Sequence, residues 1–310
     1  MQETNPDILE QFRSFYFQNK PASLETALEF FAIFGGLGWQ VDTNKPAFDG
    51  IEKVILHNYK PLRNIISDIT LGEITSHAVL TGAALGDRRT HSAFKRARIH
   101  GTTGFPALND MQERGLINLE VSALKPPERM AEDRVSEKVY FKRPFYQFWF
   151  AFISPLFKGI VEGDFKEVKE RFENRQSDLV SVVFEKLSLQ LLKKSYKDDT
   201  MVKMGSYWDK ETDIDIIART KSGKIIAGSC KYSNTKMKKS ELTQLQESCK
   251  KAEIEADIFV LFSKSGFSNE LKSSKSETLR LFSLKNFKSL VEDVQAREMI
   301  GGLKKQAYEG

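Results

Sequence analysis

A chain of 310 residues with 40% hydrophobic and 29% charged side chains is long enough for a sizeable core and two or three domains. Its formal net charge of +5 is mildly basic, compatible with a nucleic-acid partner without selecting one, and its two cysteines, Cys230 and Cys249, have no Cys-x-x-Cys spacing, which argues against a disulfide scaffold or a structural zinc site. The longest apolar run, around residues 145–153, is interrupted by Gln147 and too short to cross a bilayer, and the N-terminus lacks a basic-then-apolar signal design, so a cytoplasmic protein without a membrane span is expected.

Residues 1–60 read as a helical lead-in. Leu24, Ala27, Leu28, Phe31, Ile33 and Phe34 give a helical stripe, stopped by Gly35, Gly36 and Gly38. The glycines do not make a phosphate loop, because no Gly-x-x-x-x-Gly-Lys-Ser/Thr follows.

Across 61–142 the pattern changes to short helices with sharp breaks. Leu62, Ile65, Ile66 and Ile69 fit one helix; Ala78, Val79, Leu80 and residues 83–85 fit a second; a third falls within 90–99 and a fourth over 106–114. Residues 116–121 then alternate as a strand, with a return strand at 138–142 across a polar loop containing Pro126 and Pro127. Short helices followed by a two-stranded wing follow the plan of a winged helix-turn-helix. Arg88, Arg89, Lys95, Arg96 and Arg98 crowd this region and are the candidate DNA-binding residues, since clustered cations bind phosphates by counterion release; the alternative is a solvated basic face. His57, His77, His91 and His100 show no ligand spacing and are read as surface or packing residues.

An aromatic segment, Phe145-Tyr146-Gln147-Phe148-Trp149-Phe150, opens a linker over 143–178. Such rings can stack on single-stranded bases, but at helical spacing they more often form a core. A charged helix at 165–174 leads into a second at 179–192, where Val180, Val183, Phe184, Leu187 and Leu191 form a buried stripe.

The region 179–290 then reads strand (202–208), strand (213–219), strand (224–232), helix (240–255), strand (257–262), helix (around 269–276) and strand (278–284), a mixed α/β sheet with helices on both faces. Residues 291–310 add a last helix and a frayed tail. The second and third strands flank Thr220-Lys221-Ser222-Gly223 and predict a hairpin. Strict alternation puts Asp213 and Asp215 on one face of the first, Ser229 and Lys231 on one face of the second, and turns Ile216 and Cys230 the other way. Two carboxylates and an ammonium on one patch suit a divalent-metal phosphodiesterase; an Asp215–Lys231 ion pair without catalysis explains the same residues.

The αβββαβ order, with Glu185 on the first helix, Asp215 on the second strand and Ser229-Cys230-Lys231 on the third, resembles the PD-(D/E)XK superfamily, the restriction-endonuclease-like fold. More narrowly, the aromatic segment, Glu162-Gly163-Asp164, Phe184-Glu185, Tyr207-Trp208-Asp209, Asp213-Ile214-Asp215-Ile216 and Gly228-Ser229-Cys230-Lys231 resemble, in order, the carboxy-terminal domain-of-unknown-function family number 234 of archaeal-type ATPases. The resemblance implies Glu185, Asp215 and Lys231 as catalytic residues, Asp215, Asp213 and Glu185 as ligands of Mg²⁺ or Mn²⁺, and DNA as the partner. There are two departures from those relatives. No Walker A loop accompanies the chain, so ATP is not expected, and Ser229 stands where the superfamily has its second acid. A neutral hydroxyl is a poor ligand for a hard cation; Asp213, Glu241 or Glu247 are the acids placed to compensate. The alternative is a degenerate nuclease fold serving as a nucleic-acid-binding or protein-interaction module.

Overall fold

The computed structural model describes residues 7–124 and 137–292. The loop with Pro126 and Pro127, most of the expected last helix and the tail lie outside the described residues. No helix among the described residues is long and apolar enough to cross a membrane. The chain divides into two compact units: residues 7–121 with 137–179, and residues 122–124 with 180–292.

The first unit is α-rich. Helix α1 (Ile8–Asn19) starts at a capping box, with Asp7 Oδ1 accepting from the Glu10 backbone N–H at 2.8 Å. Helix α2 (Leu24–Phe34) is capped by Ser23 and buries seven of its residues; Phe12 of α1 meets Phe31 edge-on at 5.3 Å. The predicted stop at Gly35 is present, its backbone turning extended at φ −69° and ψ 146°, and only glycine fits there, because a Cβ would lie 2.4 Å from the Phe31 carbonyl oxygen.

After the short α3 (Ala47–Gly50) and a π-helical turn Ile51–Leu56 come α4 (Tyr59–Ile69), α5 (Ile74–Ala84), α6 (Thr90–Ala97) and α7 (Gly101–Glu113). Strands β1 (Ile117–Glu120) and β2 (Lys138–Phe141) pair antiparallel, with Ile117 opposite Phe141. The segment before α6 joins this ribbon. Val139 N–H donates to Arg88 O, Thr90 N–H donates to Glu137 O, and Arg89 bridges Lys138. Helix α7 begins five residues before the sequence expectation. The His100 Nδ1 accepts from the Thr102 N–H, and Gly104 leaves the room in which the Phe94 ring sits, a Cβ there coming within 2.4 Å of it.

The aromatic segment is core, as its spacing predicts. It forms α8 (Pro144–Phe148) and a π-helical turn Trp149–Ile153 in which every residue is buried. Phe148 stacks on Phe152 at 5.2 Å and Trp149 on Tyr59 at 5.7 Å, and burying each such ring stabilises the fold by about 1.5–3 kcal/mol.

Helix α9 (Phe157–Glu162) ends at Gly163 in the left-handed region, φ 80°. The two predicted helices that follow are one, α10 (Lys166–Ser195), of 30 residues. The stretch between them, Arg175-Gln176-Ser177-Asp178, holds no Gly or Pro, and Arg175 pairs with Asp178 at 3.2 Å along the helix.

The second unit is a mixed sheet in the order β3-β4-β5-β6-β7: Met201–Trp208, Asp213–Thr220, Ile225–Lys231, Ile258–Ser263 and Leu279–Ser283. β3, β4 and β5 run antiparallel; β5, β6 and β7 run parallel. The crossover between β5 and β6 is α11 (Lys239–Lys251), that between β6 and β7 contains α12 (Asn269–Ser273), and α13 (Ser289–Glu292) follows. The predicted hairpin is present, Gly223 adopting φ 92° and donating to Thr220 O.

One face of the sheet packs Ile214, Ile217, Ala227 and Leu261 against Leu242, Leu245 and Cys249 of α11. On the other, Phe184 of α10 meets Tyr232 at 5.5 Å and stacks on Phe287 at 4.8 Å. A short piece from between β1 and β2 completes this unit. Ala123 N–H donates to Ser206 O, and Ser122 Oγ accepts from Trp208 N–H, each at 2.8 Å, along the outer edge of β3.

Candidate functional site

Four elements converge where β4 and β5 part. Their ladder ends at Ile216 opposite Gly228, so the next residues, Asp215 and Ser229, no longer exchange strand hydrogen bonds. Gly228 has no room for a side chain, a Cβ there falling 2.5 Å from Val260 Cγ2. On its other side β4 carries a bulge. Gly205 pairs with Ile217 and Tyr207 with Ile214, leaving Asp215 and Ile216 together opposite the single Ser206.

The bulge breaks the alternation read from the sequence. Ile214 and Ile217 now share the α11 face, although their spacing predicts opposite faces. Asp215 stands at the seam, and the opened backbone serves it. Its Oδ2 accepts from the Cys230 N–H at 2.7 Å and from the Ser229 hydroxyl at 3.2 Å. Ser206 Oγ lies 2.9 Å from the Asp215 carbonyl and 3.0 Å from Glu185 Oε1, so one hydroxyl links the bulge to α10.

Burial pushes the Asp215 carboxyl up to about 7. The neighbouring Glu185 carboxylate adds to the shift and Asp213 adds less, against the Cys230 N–H and the Ser229 hydroxyl, which favour the charged form. The sequence reading turned Cys230 away from the acids; instead it lies beside them. Its thiol is pushed well above the usual range by burial and then by Asp215 and Glu185, with Ser188 of α10 bonding to it. A thiol so placed is protonated and no nucleophile.

Lys231 points elsewhere. Its Nζ pairs with Glu241 Oε1 at the first turn of α11, both part-buried, rather than with Asp215 as the ion-pair reading had it. Glu241, one of the acids named for a compensating role, is therefore present beside the lysine. The structure thus brings Glu185 and Asp213 within electrostatic reach of Asp215 and gives Lys231 a separate carboxylate. Among the described residues, no three His, Cys, Asp or Glu side chains group as a metal-holding cluster. Sequence reasoning missed Ser206 and Ser188, small hydroxyls in apolar runs with no motif to mark them.

The basic cluster divides as well. Arg88 lies over the Tyr140 ring at 4.7 Å, and Arg96 sits 3.7 Å from Asp87 and packs across Gly86, where a Cβ would come 1.9 Å from its Nη1. Arg89 heads α6, its backbone N–H on Asp87 Oδ1. Lys95 and Arg98 are exposed at the end of α6.

No curated protein matches the chain. A solved half-complex from a tetradecameric assembly of Thermococcus gammatolerans McrB AAA+ hexamers with bound McrC contains a chain 12% identical, with 72% of this chain and 52% of that chain covered and a TM-score of 0.24. The present chain spans about half the length of that one, and a likeness of this degree carries no argument about fold or function. Residues 149–244, which hold Glu185, Asp213, Asp215, Ser229, Lys231 and Glu241, match the model of domain-of-unknown-function family 234, described as archaea bacterial proteins of unknown function.

Proposed function

We propose that this protein binds DNA through a winged-helix-like region and carries, in its five-stranded unit, a PD-(D/E)XK-type phosphodiesterase site dependent on Mg²⁺ or Mn²⁺. The observation that carries the reading is the meeting of Glu185 and Asp215 at a splayed strand end, where burial first and repulsion by Glu185 second hold Asp215 up to about 7. A cluster of carboxylates in that state favours either a proton or a cation. Two carboxylates suit a hard ion of this kind, since Mg²⁺ is commonly held by one or two of them, with water and substrate phosphate in its other positions.

Asp215, Glu185 and Asp213 would hold the ion, which would supply a water of lowered pKa and positive charge at the scissile phosphate. The Ser229 hydroxyl and Cys230 N–H fix the orientation of the Asp215 carboxylate. Lys231, kept in place by Glu241, would stabilise charge developing on the phosphate. The winged-helix reading is supported by the order α5, bridging segment, α6, α7, β1, β2, and DNA contact by the exposed Lys95 and Arg98.

A second reading has an observation of its own. Ser229 lacks the charge that the superfamily places there and Lys231 is already paired, which favours a degenerate nuclease fold that binds nucleic acid or protein without cutting. Supercoiled plasmid and branched DNA incubated with Mn²⁺ separate the two. Cleavage by the native chain that is lost in both Asp215→Ala and Lys231→Ala is expected. Cleavage that persists in both variants comes from a contaminant, and no cleavage together with no heat on calorimetric Mn²⁺ titration establishes the degenerate module.

A further inference from the structure

The first unit contains a cleft of about 520 Å³ that neither the acidic site nor the basic cluster explains. It opens between α4, α5 and the turn after the buried aromatic segment, and its volume falls in the range of small-molecule sites. The wall is largely apolar: Ile66 from α4, Ile74 and Ala78 from α5, and Phe157 from the start of α9. Ile74 is 85% exposed and Phe157 42%, so apolar surface at the rim is left facing water. Apolar surface around a concavity of this size is the common signature of a ligand's non-polar body.

Of the charged side chains that line the cleft, two are arginines and one is a glutamate. Arg63 lines it close enough to act electrostatically on both Tyr59 and His77. Among the described residues no carboxylate pairs with its guanidinium. His77 reaches Ser154 Oγ at 2.5 Å through Nε2; burial first and Arg63 second hold its proton affinity below the usual histidine range, so the imidazole is neutral near pH 7 and leaves Arg63 as the charged group beside it. The indole N–H of Trp149, also in the wall, is buried without an acceptor among the described residues. Glu73 is the acid on the rim, and Arg96 there is held by Asp87.

We propose that this cleft binds a small amphiphilic oxyanion, an aromatic carboxylate or aryl phosphate, with its head group on Arg63 and its ring along Ile66, Ile74, Ala78 and Phe157. A guanidinium meets either head group with paired N–H donors, so the two share one chemistry. The ring covers Ile74 and Phe157, which otherwise stay wet. The site lies wholly within the first unit and does not depend on the phosphodiesterase reading.

Calorimetric titration of the full chain with 1-naphthoate, 1-naphthyl phosphate and the neutral 1-naphthalenemethanol tests it. At least one anion is expected to bind, about tenfold or more tighter than the alcohol. Arg63→Ala, an exposed position, should remove that preference while leaving the weak binding of the alcohol unchanged. Ala78→Trp should fill the cleft and abolish binding of all three, with thermal unfolding run alongside to verify that the variant is folded. Binding of one anion and not the other assigns the head group within the proposal. No heat from either anion, an anion affinity unchanged in Arg63→Ala, or normal binding by folded Ala78→Trp would overturn it.

Discussion

Asp215 connects the site to stability through its proton. Its folded-state pKa of about 7 lies above the ordinary carboxylate value of 3.8, so between those limits the native state binds the proton that the unfolded state has released. Stability from this group is then present at low pH and lost as pH rises through about 7, the reverse of a salt-bridged aspartate. Asp215→Asn removes the charge while keeping the shape. In metal-free buffer it should raise the thermal midpoint more at pH 8 than at pH 5, measured by differential scanning fluorimetry; equal shifts at both pH values would contradict a raised pKa. Asp213, Asp215 and Lys231 were legible from strand alternation, and Glu185 only through the resemblance to the family pattern. The bulge was not, because Ile214-Asp215-Ile216-Ile217 is apolar on both sides of the acid and an inserted residue leaves no break in such a run. Glu241 was legible as an acid that could approach the site, but its pairing with Lys231 was not, since a contact ten residues apart between a strand and the next helix has no local signature.

Among elements, the strands of the mixed sheet matched expectation to within about two residues, because short apolar and aromatic or β-branched runs bounded by turn-forming residues report both type and extent. Helix ends were less legible. The continuity of α10 follows from a local pair that bridges its two predicted halves, whereas the start of α7 depends on the Phe94 ring packed over Gly104, a contact beyond local propensity. The same tertiary control appears at Gly82 in α5, where an added Cβ would fall 2.4 Å from the Ala93 carbonyl oxygen of α6. The obstacle is backbone, which cannot rotate away. Gly82→Ala should therefore destabilise the fold by about 1–3 kcal/mol in urea unfolding, despite alanine's better helix propensity. A neutral or stabilising result would show that α5 and α6 can separate without cost.

For the whole molecule, a net charge of +5 does not say which cations are free to meet a phosphate. The fold does part of that sorting: Arg88 stacks on Tyr140 and Arg96 pairs with Asp87, whereas Lys95 and Arg98 have no ion-pair partner among the described residues. If DNA lies on α6, Lys95→Gln with Arg98→Gln should flatten the slope of log affinity against log salt by about 2, read by fluorescence anisotropy on a duplex. An unchanged slope would remove these two residues from the interface. The placement of Ser122 and Ala123 has a practical consequence for dissecting the chain. Because they bond along β3 from a position far ahead of it in sequence, a fragment cut to begin at residue 180 would lose them and bare the outer strand of its sheet. Open strand edges of that kind pair with one another, so such a fragment would aggregate. The stretch 149–244 is shorter still, ending within α11 before β6 and β7 begin. The boundaries of sequence similarity are therefore the wrong places to cut this protein.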